Sequence, residues 1–212
     1  MQNAAFAAVG LDWRYVALEV EAEELEETLR RLPTEGFAGA NVTAPHKQEM
    51  ARILGAEVRS VNTLVFDGSA VHGYSTDAAI LDGLRWERAA IVGDGGAAQA
   101  FRQALPDARM FSRRGEWPPR VSGFDLVVHA TSVVAEPVVH VGRGQTLVDL
   151  PYPRSATAEE GRRNGACVLD GLEVLVAQGA EAFRLWTSRP PPVDAMRSAV
   201  GLPRDADAVD SR

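Results

Sequence analysis

Apolar and polar positions along this chain fall into short blocks whose period switches between two and 3.6. Residues 13–20, WRYVALEV, are rich in aromatic and β-branched side chains and read as a strand. Leu25, Leu29 and Leu32 recur at helical spacing behind an acidic first turn, so residues 22–32 read as an amphipathic helix. FAGANVT (37–43) reads as a second strand, and HKQEMARIL after Pro45 as a short helix. Residues 62–73 hold two short apolar runs around Asp67-Gly68, a hairpin signal, and a helix is expected from about Asp77 to Leu84.

The pattern changes at Ala89. AAIVGDGGAAQAFRQAL reads as a buried strand, a glycine-rich turn and a helix. Residues 108–114, 125–131 and 146–152 then form short apolar runs of the kind that parallel strands make when both faces are covered. ATAEEGRRNGA reads as a helix, CVLDG as a strand and LEVLVAQGAEAFRLWT as a long helix, before RPPP (189–192) breaks the chain. The closing PRDADAVDSR is polar and expected to fray. Strands alternating with helices make the fold class α/β, with a seam near residues 80–88.

Composition narrows the function. At 212 residues the chain has room for one large or two small domains, and 46% hydrophobic with 24% charged residues is ordinary for a globular protein. A net charge of −7 argues against a general nucleic-acid or membrane-surface binder, because both surfaces are anionic. No apolar run approaches the roughly 20 residues needed to cross a bilayer, and the N-terminus shows no signal-peptide pattern. Cys167 is the single cysteine, which fits a reducing cytoplasm, and the four scattered histidines show no zinc spacing.

Two stretches carry chemistry. Gly93, Gly95 and Gly96 follow an apolar strand and precede a helix, where glycine allows a tight turn and close approach of backbone to a pyrophosphate. Ala98 stands where a third glycine of a dinucleotide fingerprint would stand; a plain glycine-rich strand–helix turn is the alternative. At the next strand end Ser112, Arg113 and Arg114 suit a 2′-phosphate, and so NADP, since arginine forks match phosphate oxygens; a solvated arginine pair is the other reading. Asp94 would repel a pyrophosphate unless it points away. In GANVTAPHKQEM, Lys47 follows a strand end and is either a solvated charge or a proton-transfer group.

Nine stretches in order resemble one family, the NADP-dependent shikimate dehydrogenases, which reduce 3-dehydroshikimate. They are NAAFAAVGL (3–11), GANVTAPHK (39–47), SVNTL (60–64), GYSTD (73–77), VGDGGAA (92–98), SRR (112–114), DLVVHATS (125–132), VDLPY (148–152) and LDGLEVLVAQGAEAFRLW (169–186). The resemblance implies a discontinuous α/β substrate-binding domain, 1–84 with 175–212, a Rossmann-like NADP domain, 85–174, and an active site in the cleft between them. It implies Lys47 and Asp77 as a catalytic pair, with Thr43, Asn62, Tyr152 and Gln178 binding a polyhydroxylated ring acid. It further implies Gly93, Gly95, Gly96 and Ala97 at the cofactor phosphates, Ser112, Arg113 and Arg114 at the 2′-phosphate, and Thr131, Leu150 and Gly171 at the nicotinamide. A lysine suits a ketone reduction because charge building on oxygen needs a proton donor and a nearby cation.

The chain also departs from that pattern. Family members begin with a strand and a Ser-x-Ser motif for the substrate carboxylate, whereas the match here starts at Met1; the expectation is an upstream start, with Met1 an internal methionine. Only GEWPPRVSGF separates SRR from DLVVHAT, where the family carries a crossover helix. Ser75 replaces the asparagine of the family's NTD, and His129 that of its NAT. The leading expectation is a shikimate dehydrogenase, monomeric or homodimeric, with a small-molecule substrate and neither nucleic acid nor membrane as partner. The alternatives are a paralogue acting on quinate or an amino-shikimate ring, and a non-catalytic NADP-binding homologue.

Overall fold

A computed structural model describes residues 1–152 and 154–204, so the polar tail expected to fray lies outside the described residues from 205 onward. The chain divides into two compact units, Met1–Thr76 with the stretch from Val176, and Asp77–Leu175. In chain order the first elements are α1 (Gln2–Ala8), α2 (Leu25–Thr34), β1 (Gly39–Asn41), α3 (Lys47–Ile53), β2 (Thr63–Asp67) and β3 (Ala70–Tyr74). Next come β4 (Ala89–Val92), α4 (Gly96–Ala104), β5 (Arg109–Phe111), β6 (Leu126–His129), β7 (Thr146–Asp149), α5 (Ala156–Arg163) and β8 (Cys167–Leu169). Helix α6 (Gly171–Thr187) runs from the second unit into the first, and α7 (Val193–Ala199) follows the proline break.

The first unit carries an antiparallel sheet in the order β1-β2-β3. Asp67 pairs with Ala70 across Gly68-Ser69, so the Asp67-Gly68 signal marks a two-residue hairpin as expected. Leu25 and Leu29 of α2 pack with Met50, Val61 and Leu64, while Ala5, Phe6, Val176, Phe183 and Met196 form a second core. Two expectations are corrected. Residues 13–20 form no strand: the backbone N–H and C=O of Tyr15 bond to the Asn3 side chain, at 2.6 and 3.0 Å, instead of to a sheet. A strand needs a partner edge, and its β-prone composition is spent here on ring contacts, Trp13 on Phe6 and Tyr15 near Trp186. Residues 77–84 contain only the 3-10 turn Ala79–Leu81, whose Leu81 is buried in the second unit's core.

The second unit is a five-stranded parallel sheet ordered β5-β4-β6-β7-β8. Its strands are largely apolar because successive side chains feed opposite cores, Ile91 and Val128 on one face, Ala90, Val92 and Val127 on the other. The order reverses between β4 and β6, the switch point where such sheets open a crevice beyond their strand ends. The β5–β6 connection crosses β4 with no helix, as the short GEWPPRVSGF stretch implied. Phe124 stacks edge-on against Phe111, and Gln145 Nε2 donates to the carbonyls of Val121 and Phe124, which satisfies backbone that a helix would have satisfied internally.

Asp125 ties the entry of this sheet. Its carboxylate accepts the backbone N–H groups of Glu87 and Arg88, both at 2.7 Å, and these bonds hold its pKa below the ordinary value of 3.8. Asp125→Ala is expected to cost about 1–2 kcal/mol in urea unfolding, the worth of such bonds discounted for partial exposure. The sign follows from the lowered pKa: this stability is complete above the unfolded carboxyl value and is lost as pH falls through the lower folded one. The wild-type and variant curves should therefore converge in acid; a constant gap would contradict the assignment.

Candidate functional site

In the first unit the candidate groups gather around Asn62. The Asn62 amide is 3% exposed, and the Thr76 N–H donates to its Oδ1 at 2.7 Å, which fixes the amide's orientation. Its Nδ2 therefore points to Thr76 Oγ1 at 3.1 Å and to Gln178 Oε1 at 3.5 Å. Thr63 is also buried and its hydroxyl lies 3.2 Å from that of Thr76. The structure thus joins two expected residues, Asn62 and Gln178, and adds Thr63 and Thr76, which the sequence reading passed over. A hydroxyl-rich VNT/STD pairing was the available signal. Asp77, 7% exposed, directly follows Thr76.

Lys47 is half-buried as the first residue of α3, and its carbonyl accepts from Val61 N–H at 3.0 Å, one residue before Asn62. Thr43 is exposed just past β1, where it borders a cavity of about 710 Å³ with Asn41, Leu29 and Met50 on its wall.

In the second unit the glycine turn closes β4 onto α4. Gly93 has φ +132°, and a Cβ placed there would lie 2.5 Å from the Ala130 carbonyl oxygen. Gly95 is the N-cap of α4 and offers no side chain to its first N–H groups, which leaves them for an anionic ligand. Gly96 begins the helix and Ala97 is exposed beside it. Ser112, Arg113 and Arg114 follow β5; both arginines are exposed, with Arg113 over the Trp117 ring and Arg114 3.8 Å from the Asp94 carboxylate. The Asp94 carboxylate therefore lies beside an exposed cation. A side chain on Gly171 would meet the carbonyl oxygens of Pro151 and Leu150 at 2.9 and 3.1 Å, so Gly171 and Leu150 share one close backbone contact. Tyr152 is 62% exposed.

At the ends of β6 and β7 begins a chain of side-chain bonds that the sequence does not announce. His129 and Asp149, both fully buried, are register partners, and His129 Nδ1 lies 2.6 Å from Asp149 Oδ1. Ser155 donates to Asp149 Oδ2 at 2.7 Å, and His129 Nε2 lies 2.6 Å from the Thr131 hydroxyl. Among the described residues no cluster of three histidine, cysteine or acidic side chains could hold a metal ion, and no helix is long and apolar enough to cross a membrane.

A parallel sheet with a glycine turn opening a helix at its switch point defines a Rossmann-like nucleotide-binding class. Residues 1–64 match the family described as the shikimate dehydrogenase substrate binding domain, and residues 171–200 the shikimate 5′-dehydrogenase C-terminal domain. The shikimate dehydrogenase (NADP(+)) of Anaeromyxobacter dehalogenans is 35% identical, over 94% of this chain and 89% of its own length. The Thermus thermophilus enzyme, solved with NADP(H) and shikimate, is 26% identical with TM-score 0.78, over 93% of this chain and 91% of that one. The Aquifex aeolicus shikimate dehydrogenase shares the fold, with TM-score 0.82 at 24% identity over 94% of this chain and 91% of that one. The chain belongs to the shikimate dehydrogenase family, whose members are oxidoreductases acting on a CH–OH group with NADP.

Proposed function

We propose that this protein reversibly reduces 3-dehydroshikimate to shikimate, with Lys47 and Asp77 as the acid–base pair. The observation that carries the reading is the buried Asn62 node. An amide fixed by Thr76, the residue directly before Asp77, and reaching Gln178 is a costly arrangement to bury and one suited to hydroxyl groups of a ring acid. Thr43, Asn62 and Gln178 bind those hydroxyls, Tyr152 adds a further one, and Lys47 holds and delivers the proton at the carbonyl oxygen while Asp77 orients its ammonium.

The glycine turn fits the dinucleotide, because Gly93 lets β4 pass tightly against Ala130, Gly95 leaves open space where a Cβ would project, and the α4 N-terminus is uncapped by any side chain. Gly93, Gly95, Gly96 and Ala97 hold the phosphates, Ser112, Arg113 and Arg114 the 2′-phosphate, and Thr131, Leu150 and Gly171 the nicotinamide. NADPH, when bound, supplies the hydride. In this reading residues 1–84 with 175–212 form the substrate-binding domain and 85–174 the NADP domain. Ser75, in place of the family's asparagine, supports a second reading in which the ring acid is quinate or an amino-shikimate.

The test follows NADPH absorbance with 3-dehydroshikimate, and NADP+ reduction with shikimate or quinate. Turnover with 3-dehydroshikimate and shikimate is expected. Turnover on quinate alone would favour the second reading, and NADP binding without turnover on any of them would leave a non-catalytic homologue.

A further inference from the structure

We infer that His129 is a positioning residue that sets the polarity of the Thr131 hydroxyl, making it a hydrogen-bond acceptor toward the carboxamide of a bound dinucleotide. The inference rests on the proposed function in one respect, that Thr131 lies at the nicotinamide.

The polarity is transmitted from a buried end. Asp149 is fully buried, and an ionised carboxylate can only accept. Ser155 Oγ already accepts the Ala158 N–H at 3.0 Å and donates its own proton to Asp149 Oδ2. Asp149 Oδ1, 2.6 Å from His129 Nδ1, therefore takes the ring proton. A neutral imidazole protonated at Nδ1 has a bare Nε2, so this nitrogen, 2.6 Å from Thr131 Oγ1, accepts the hydroxyl proton. The Thr131 oxygen has two lone pairs, one taken by Val133 N–H at 3.2 Å. Its proton is committed inward, so the other lone pair presents an acceptor only.

The carboxamide of nicotinamide carries two N–H donors, and an acceptor held in place distinguishes it from a ring substituent lacking them. An imidazolium would reverse the last link and turn Thr131 into a donor, so the ring's proton count is part of the test. The asparagine that the family resemblance puts at position 129 is shorter and ends where Nδ1 lies, short of the reach of Nε2. His129 thus adds a link that such a residue lacks.

Two measurements decide it. The first is 15N–1H NMR of histidine-labelled protein without ligand. One ring proton on His129, at Nδ1, is expected; a proton on Nε2 overturns the inference whatever the protein binds. The second is calorimetric binding of NADP+ and of its 3-acetylpyridine analogue, in which a methyl replaces the amide NH2. Wild type should prefer NADP+ by about tenfold, the worth of one hydrogen bond. The preference should fall toward one in His129→Asn, which keeps a donor for Asp149, and in Thr131→Val, which leaves the buried pair intact and serves if the first variant does not fold. An undiminished preference in the variants, or none in wild type, overturns the inference alone. Failure of wild type to bind either dinucleotide overturns the proposed function and the inference with it.

Discussion

Gly93→Ala is expected to remove NADP binding and to destabilise the second unit by several kcal/mol. At φ +132° an alanine is strained before any contact is considered, at a cost of about 1–3 kcal/mol. Its methyl would also lie 2.5 Å from the Ala130 carbonyl oxygen and 2.9 Å from the carbonyl carbon. Neither backbone can withdraw cheaply. Gly93 N–H donates to Phe111 and Ala130 N–H to Val92, each at 2.8 Å, so relief on either side breaks a bond between paired strands. Overpacking of this kind adds about 1–3 kcal/mol, against a total domain stability of only about 5–15. The shift would also carry Ala130 and Thr131 away from the glycine turn. Urea unfolding and NADPH fluorescence titration read the two effects. A variant with wild-type stability and affinity would show that the turn tolerates a side chain and does not cradle a phosphate.

Lys47→Ala should leave NADPH binding and stability nearly unchanged while lowering kcat by about 10²–10⁴, the usual contribution of a positioned proton donor. Lysine at the first position of α3 sets a cation against the positive end of the helix dipole, an arrangement that costs about 0.3–1 kcal/mol. Alanine there is a better helix former, which offsets part of what the lysine's own side-chain interaction contributes to folding. Unfolding free energy is expected to change by less than about 1 kcal/mol. Loss of cofactor binding in step with turnover would assign Lys47 a structural part, and retained turnover would remove it from the chemistry.

Much of the second unit was legible because its signals are local. In AAIV, LVVH and TLVD apolar side chains serve both faces, as strands covered on both sides require, and the Gly93–Gly96 turn announces a backbone need that few residues meet. Asp67-Gly68 marked its hairpin for the same reason. WRYVALEV misled because composition reports that a segment could pair and says nothing of an available edge; the Asn3 side chain occupies that backbone instead. Residues 77–84 misled because Leu81 is drawn into the core of the sheet unit, and packing overrides the weak helical preference of so short a stretch.

The sequence by itself determined the α/β class and the glycine turn, and short motifs that resemble one family made Lys47, Asn62, Asp77 and Gln178 candidates. Only the tertiary structure decided which of them meet. Asn62 reaches Gln178 across 116 residues, and His129 reaches Asp149 across 20 because parallel register sets β6 against β7. Such bonds depend on strand order and register, which are cooperative properties of the whole sheet and leave no mark at either residue taken alone.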